Sequence, residues 1–447
     1  MLSFVQSWFN PASSPIGVDF GSDCLRVAQV ELIGNEHHLV AAASADVPPH
    51  VRNDPTARFA FFADAMRDLL AQGNFRGRRV ILSLPASLMH IQHLRVPKMD
   101  DEALKKGLVW EARGKLPFDP TQAVLRHLVA GEVYHDQEPK YEVILMAARR
   151  DLVDLYLAAA NKARLTVVGM NVEPKATIDC FSHIYRRAAD VEATTCYVDI
   201  GCISSRATIA RGGKIQFARV IPIGGEHFSR AVATALRIPL DQARQMRVQL
   251  AEASEDAEVK APAPVPDRPA PAKLDDENES LEGTGFALLD AGIAAAERRD
   301  PQATAHAVPA PEIPAAEPVS SAVAPGDRHK IEEATREPLA RVIEELSLCR
   351  RYFEAAFQNQ PLQRLVFIGG EANQRSLCQQ IAREMGIGAQ VGDPLCRMSK
   401  HTLPGVETGI DRRIPQPAWA IAIGLSMGPA TDASKSKLVE SETRTTR

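Results

Sequence analysis

The hydrophobic and polar positions of this chain follow one pattern twice. Ile16, Val18 and Phe20 alternate with small or polar residues, which predicts a short strand. A second strand is expected over 25–32, and Gly34-Asn35 turns the chain into a third over 39–43. The order returns downstream, with strands over 196–200 and 206–210, a Gly212-Gly213 turn and a strand over 215–221. The copies open with Val18-Asp19-Phe20-Gly21 and Val198-Asp199-Ile200-Gly201, and their aspartates stand 180 positions apart. One unit used twice, each copy opening as a β-meander, implies two lobes.

Helical spacing follows each meander. Phe61, Ala65, Met66, Leu69 and Leu70 fall on one face of a helix over 57–70. Phe228, Val232 and Leu236 recur every fourth residue, as do Leu377, Ile381 and Met385, and a long amphipathic helix is expected from Leu339 to Phe353. A strand over 80–84, a helix over 101–113, a strand over 142–148 and a helix over 152–163 suggest a small α/β unit between the copies. The alternation places the chain in the α/β class. We divide it into a first lobe (1–79 and 164–192), an inserted subdomain (80–163) and a second lobe (193–250 and 331–429).

Composition changes this picture in one place. Residues 251–330 hold 11 of the 31 prolines, mixed with Ala, Glu and Asp, a composition that cannot form a packed core. A long disordered insertion is expected there, with Phe286 to Ala296 as its only apolar piece, and a polar disordered tail over 430–447. The N-terminal Phe4, Val5, Trp8 and Phe9 are expected to pack on the domain. A net charge of -4, with no basic cluster carrying interleaved aromatics, argues against nucleic-acid binding. Seven scattered cysteines without a CxxC spacing read as buried hydrophobes of a reducing compartment. With no signal peptide and no apolar run of about 18 residues, a cytoplasmic location is expected.

Five segments make sense together as a nucleotide clamp. In the first, Gly21 lets backbone N–H groups approach a phosphate, Ser22 adds a hydroxyl, and Asp19 is assigned to Mg²⁺ through water. The second, with Asp199, Gly201, Ser204 and Ser205, repeats that chemistry from the opposite lobe, and Asp199 is the second metal candidate. In the third, Glu173 precedes Pro174 at a helix start, where a carboxylate can polarise an attacking water. The fourth, Gly224-Gly225-Glu226, reads as a lobe-connecting turn. In the fifth, a strand ends in Gly369-Gly370, followed by Glu371 and Asn373, leaving room for adenine and ribose. Catalytic roles therefore fall to Glu173 and Asp199, with Mg²⁺ on Asp19 and Asp199.

This order of motifs resembles the actin, Hsp70 and hexokinase superfold and, within it, the FtsA/PilM branch. The segment from Leu94-Arg95-Val96-Pro97 through Trp110-Glu111-Ala112 to Leu116-Pro117-Phe118 is similar to the inserted subdomain of the PilM family. The resemblance spans about 17–250 and 337–428. It implies a two-lobed actin-like ATPase fold of duplicated ribonuclease-H-like domains, with ATP and Mg²⁺ in the cleft and at most slow hydrolysis. It also implies a role in an inner-membrane platform for type IV pilus assembly or a related secretion machine. The implied partner is the cytoplasmic N-terminal peptide of a PilN-like membrane protein, lying between the first lobe and the inserted subdomain, and self-association is a further expectation.

Cys202 and Ile203 stand where ATPases of the superfold often carry glycine, and Asp23 adds a negative charge beside the first loop. Both features oppose fast turnover and keep open a nucleotide-free scaffold of the same fold. An FtsA-like filament protein would normally end in an amphipathic membrane helix, which the tail KSKLVESETRTTR does not supply. A sugar or acetate kinase would need an acidic base and polar substrate groups that the sequence does not reveal.

Overall fold

A computed structural model of the chain describes residues 13–52, 54–135, 138–260, 325–358, 360–399 and 410–428. The expected tail, the N-terminal apolar cluster and the 286–296 piece lie outside these residues. So does most of the expected insertion, but helices enter it from both ends, Leu240–Lys260 and Pro325–Ala356. The reason is local. Residues 251–260 are proline-free and rich in Ala and Glu, both good helix formers, and Pro325 sits at a helix start, where its missing N–H costs nothing.

Strands β1 (Ile16–Phe20), β2 (Cys24–Ile33), β3 (Glu36–Asp46) and β4 (Arg79–Leu84) open the fold. Strands β5 (His90–Pro97), β6 (Ala123–His135) and β7 (Glu138–Arg149) follow, and then β8 (Thr166–Val172). The second half supplies β9 (Thr194–Ile200), β10 (Ser205–Arg211), β11 (Lys214–Ile221), β12 (Arg364–Ile368) and β13 (Ala389–Val391). Two five-stranded sheets have matching orders, β3-β2-β1-β4-β8 and β11-β10-β9-β12-β13. In each, an antiparallel meander continues into parallel strands. Gly34 and Gly212, at the hairpin turns, adopt φ of 65° and 55°, a region where a Cβ is strained. The central strands β1 and β9 are buried along their whole length, as expected where both sheet faces are covered.

Three differences from the expected organisation have physical causes. Residues 79–84 form β4 of the first sheet, parallel to both β1 and β8, because a strand buried continuously from Val80 to Leu84 needs cover on both faces. The helix Arg150–Lys162 packs on the helix Pro55–Gln72 of the first lobe. The inserted unit therefore reduces to the sheet β5-β7-β6 and the helix Asp101–Glu111, sharing a small core of Leu94, Leu104, Leu108 and Val143. In β6 the register shifts between Val129 and Gly131, and this bulge hides the strand from a simple alternation count.

The third difference concerns the helix Ala420–Met427, which was expected in the second lobe. It packs against β1, β2 and the helix Glu173–Phe181 of the first. Contact is backbone to backbone: a Cβ on Gly17 would run into the Ala422 carbonyl, and one on Gly424 into the Ala176 carbonyl. Ser426 Oγ donates to the Pro15 carbonyl at 2.7 Å and accepts the Val30 N–H at 2.9 Å. Among the described residues, no helix is long and apolar enough to cross a membrane.

These close approaches separate two glycine-to-alanine changes. Gly107 lies inside the helix Asp101–Glu111 with open space around it, so Gly107→Ala is expected to gain about 0.5–1 kcal/mol. Gly424→Ala must displace the Ala176 backbone and should lose about 1–3 kcal/mol or more. Urea denaturation checks both, and equal effects would contradict the helix seating.

Candidate functional site

The two meander turns and the end of β12 converge on one cavity of about 1390 Å³. Asp19, Gly21 and Ser22 line it from the first loop, and Asp199, Gly201 and Ser204 from the second. Gly369, Gly370, Glu371 and Asn373 line it from the third side, where the chain leaves β12 in a 3₁₀ turn. Gly369 has φ of 87°, and a Cβ there would collide with Asp199 Oδ1, so only glycine lets this turn close on the second loop.

Four assigned residues stand back from the cavity. Ser205 is fully buried and its hydroxyl donates to the Ile223 carbonyl at 2.6 Å. Gly224 and Gly225 do not connect the lobes. They begin the helix Gly225–Leu236 and pack behind the second loop, where Gly225 N–H donates to the Gly201 carbonyl at 2.9 Å and Glu226 N–H to that of Cys202 at 2.7 Å. Close packing with the loop backbone, rather than access for a ligand, is what demands glycine at Gly224. Glu173 lies behind Arg206, with its Oε2 accepting the Ala86 N–H at 2.9 Å.

Arginines, none of which was assigned from the sequence, organise the charge. Arg206 donates through Nη1 to Glu173 Oε2 at 3.0 Å, and through Nε and Nη2 to Asp199 Oδ2 at 3.1 and 2.6 Å. It is the strand partner of Asp199 across the β9–β10 ladder, just as Arg26 is the partner of Asp19 across β1–β2. The duplicated unit is therefore Asp-x-Gly-x-x-x-x-Arg in both lobes, a repeat visible in the sequence once the arginines are read with the aspartates. At the cavity wall, Arg244 meets Asp23 at 2.5 Å, offsetting the negative charge beside the first loop. Arg247, buried, donates to Glu371 Oε2 at 2.7 Å and to the Gly225 carbonyl at 2.8 Å.

Burial sets the protonation of the acids. It lifts Asp19 to about 6, with Arg26 and Arg206 pulling it back, and lifts Glu173 to about 8 against the pull of Arg206. For Arg206, burial opposes the charge, but Asp199 and Glu173 outweigh it and hold the guanidinium protonated.

Of the two residues assigned to Mg²⁺, Asp199 has its Oδ2 on Arg206 and its Oδ1 buried beside Gly369, while Asp19 lines the cavity as the strand partner of Arg26. Among the described residues, no three His, Cys, Asp or Glu side chains converge at metal-ligand spacing.

Two matching sheets, each opened by an Asp-x-Gly hairpin and facing one cleft, define an actin-like ATPase fold. The model of the family described as type IV pilus assembly protein PilM matches residues 17–262, more than half of the chain. The chain belongs to that family. The model of cell division protein FtsA also matches, over residues 196–424. Among solved structures, a PilM-PilN type IV pilus biogenesis complex superimposes with a TM-score of 0.63 at 21% identity, covering 94% of this chain and 100% of that one. The ethanolamine utilization protein EutJ from Carboxydothermus hydrogenoformans gives 0.43 at 12% identity, over 94% and 90% of the two chains. Component A of (R)-2-hydroxyglutaryl-CoA dehydratase from Acidaminococcus fermentans gives 0.41 at 9% identity, over 94% and 99%.

A pH dependence follows from the buried acids. Asp19 and Glu173 both have folded-state pKa values above those of an unfolded chain, near 4. Their protons therefore stabilise the fold fully below about pH 4, and that contribution is lost as pH rises through about 6 and then about 8. Glu173→Gln fixes the neutral form, so its urea midpoint should gain on that of the parent protein between about pH 5 and about pH 8.5. A difference independent of pH would mean that Glu173 stays ionised in the fold.

Proposed function

We propose that the protein binds ATP in the cleft and uses it as a conformational ligand that sets the affinity of the inserted subdomain for a partner. The partner is the cytoplasmic N-terminal peptide of a PilN-like membrane protein, which would hold the chain at the cytoplasmic face of the inner membrane in a type IV pilus assembly platform. The observation that carries this reading is the meeting of both Asp-x-Gly loops and the Gly369-Gly370 turn around one cavity. Glycine-bearing loops on two movable lobes suit a ligand whose phosphates are gripped from both sides. Family membership and the fold shared with the solved PilM-PilN type IV pilus biogenesis complex support the partner.

Hydrolysis is expected to be slow at most. Glu173 is held by the Ala86 N–H and by Arg206, and stands away from the cavity in which a water would attack the γ-phosphate. Binding without turnover is sufficient for a switch: at about 100 times its dissociation constant, a nucleotide stabilises the competent state by roughly 2.7 kcal/mol.

A route from cleft to subdomain supports the coupling. Strand β11, next to the Arg206 strand, touches the inserted sheet, with the His93 and Phe217 rings stacked at 4.6 Å. Glu142, fully buried in β7, accepts from Tyr352 Oη of the long second-lobe helix at 2.6 Å and from Arg95 Nε at 3.2 Å. Burial pushes Glu142 up, but the hydrogen bonds from His93 and Tyr352 and the neighbouring positive charge hold it below the usual range.

Titrating a labelled PilN-type N-terminal peptide with and without saturating ATP tests the proposal. We expect a change in peptide affinity of about 5-fold or more, and loss of nucleotide binding in Asp199→Ala. Tyr352→Phe should retain both ligands while shrinking the effect of one on the other. An unchanged peptide affinity in the parent protein would overturn the coupling, and absence of ATP binding would leave a nucleotide-free scaffold.

A further inference from the structure

A second cavity, of about 370 Å³, opens at the β2–β3 hairpin, the end of β2 opposite the first Asp-x-Gly loop. Glu36 and His37 line it from the hairpin, and His183 and Arg186 from the turn after the helix Glu173–Phe181. Arg397 reaches it from the second-lobe segment after β13. That segment is tied to the hairpin by the Ser399 N–H, which donates to the His37 carbonyl at 2.8 Å.

His183 calls for a ligand. It is only 4% exposed, yet neither ring nitrogen has a hydrogen-bond partner among the described residues. An imidazole always carries an N–H, and leaving one buried and unmet costs free energy. The His37 ring stands 5.0 Å away, centre to centre. Burial, then His37 and the arginines at 186 and 397, push the His183 pKa down to about 4 against the pull of the Cys180 carbonyl, so the ring is neutral near pH 7.

Charge selects the kind of ligand. Arg186 and Arg397 are exposed and form no ion pair among the described residues. Glu36, the one acid in the lining, is exposed and lies 4.0 Å from His38. Two guanidinium groups thus face one carboxylate before either imidazole takes a proton. A histidine pair alone could serve a metal, but a cation would here meet net positive charge. An oxyanion would meet forked guanidinium donors and imidazole N–H groups, and donors from three segments suit the several oxygens of a phosphate.

We propose that this second cavity is a phosphate site, in which His37, His183, Arg186 and Arg397 hold inorganic phosphate or the phosphate group of a small phosphomonoester. The ligand joins the first-lobe hairpin to the second-lobe segment, and it reaches toward the cleft through Arg397, which lines both cavities. A dianion beside His183 favours the charged ring, so binding takes up a proton.

Histidine ring signals of the full chain, followed by NMR at constant ionic strength, test this. The probes are inorganic phosphate and O-phosphoserine, and the His183 signal is the one lost in His183→Phe. We expect that signal to shift saturably with phosphate, and its titration midpoint to rise from about 4 by about one pH unit or more. Tighter binding of O-phosphoserine than of phosphate would make a phosphomonoester the ligand, and equal or weaker binding the free ion. Arg186 lines this cavity and not the cleft, so Arg186→Gln should weaken phosphate by about tenfold. Phosphate affinity unchanged in Arg186→Gln, or a His183 signal that ignores both probes, would overturn the site. A response of His183 to Zn²⁺ and not to phosphate would overturn it in favour of a metal.

Discussion

A guanidinium buried at the floor of the cleft constrains the rest of this structure. Desolvating one charge costs several kcal/mol, so Arg206 is tolerated only where acids reach it with good geometry. Those acids come from different lobes: Glu173 starts a first-lobe helix after β8, and Asp199 ends β9 of the second. The interaction also works in reverse. Without the arginine, the buried Asp199 carboxylate would lose its partner charge, and breaking a buried pair of this kind typically costs about 3–5 kcal/mol. The meeting of the lobes and the chemistry of the cleft are thus fixed by one residue.

Glycine then determines how closely the backbones can follow that anchor. The Gly224 backbone lies against Gly201, Cys202 and Ser204, and Gly369 against Asp199 and Ile200, so the second loop is braced from two sides without a side chain intervening. On the other side of the cleft, Gly17 and Gly424 let the C-terminal helix sit on β1 and on the Glu173 helix. That helix leaves the second lobe and finishes in the first, so the chain closes the two lobes onto each other rather than linking them by a single passage. Positional strain at the cleft is low enough that, among non-glycine residues described, only Arg164 and Arg237 have positive φ, and both end helical segments.

The fold was legible because the period of the hydrophobic pattern changes where the elements change. Both meanders, the long helix and the β12-to-glycine turn follow from alternation, four-residue spacing and turn residues. Elements whose burial departs from one clean face were harder to read: β6 is interrupted by its bulge, and the non-alternating 79–84 strand could equally belong to a small subdomain. At the site, the aspartates and glycines stood out because Asp-x-Gly recurs at the end of the opening strand of both lobes. The arginines did not, since a single basic residue seven positions after an aspartate carries no signal until the sheet register pairs them. Ser205 and Gly225 were over-read for the opposite reason: adjacency in sequence suggested access, and the pleat turned Ser205 inward.

The placement of the long insertion follows from the same geometry. Strand β9 must pair with β12 across more than 150 residues, yet the entropy of closing a loop grows only slowly, by about 0.6 kcal/mol for each doubling of length. Extra chain is therefore tolerated wherever its two ends are held. Here a small core of Val232, Ala243 and Ile331 holds them, joining the helix before the insertion to the helix after it. The first of these helices carries Arg244 and Arg247 to the cleft, and the second carries Tyr352 to the buried Glu142 of the inserted sheet. Charge at the cavity and contact with the subdomain are thus registered by two helices that share one small core. Movement of either must be accommodated by the other, because a close-packed core transmits displacement rather than absorbing it.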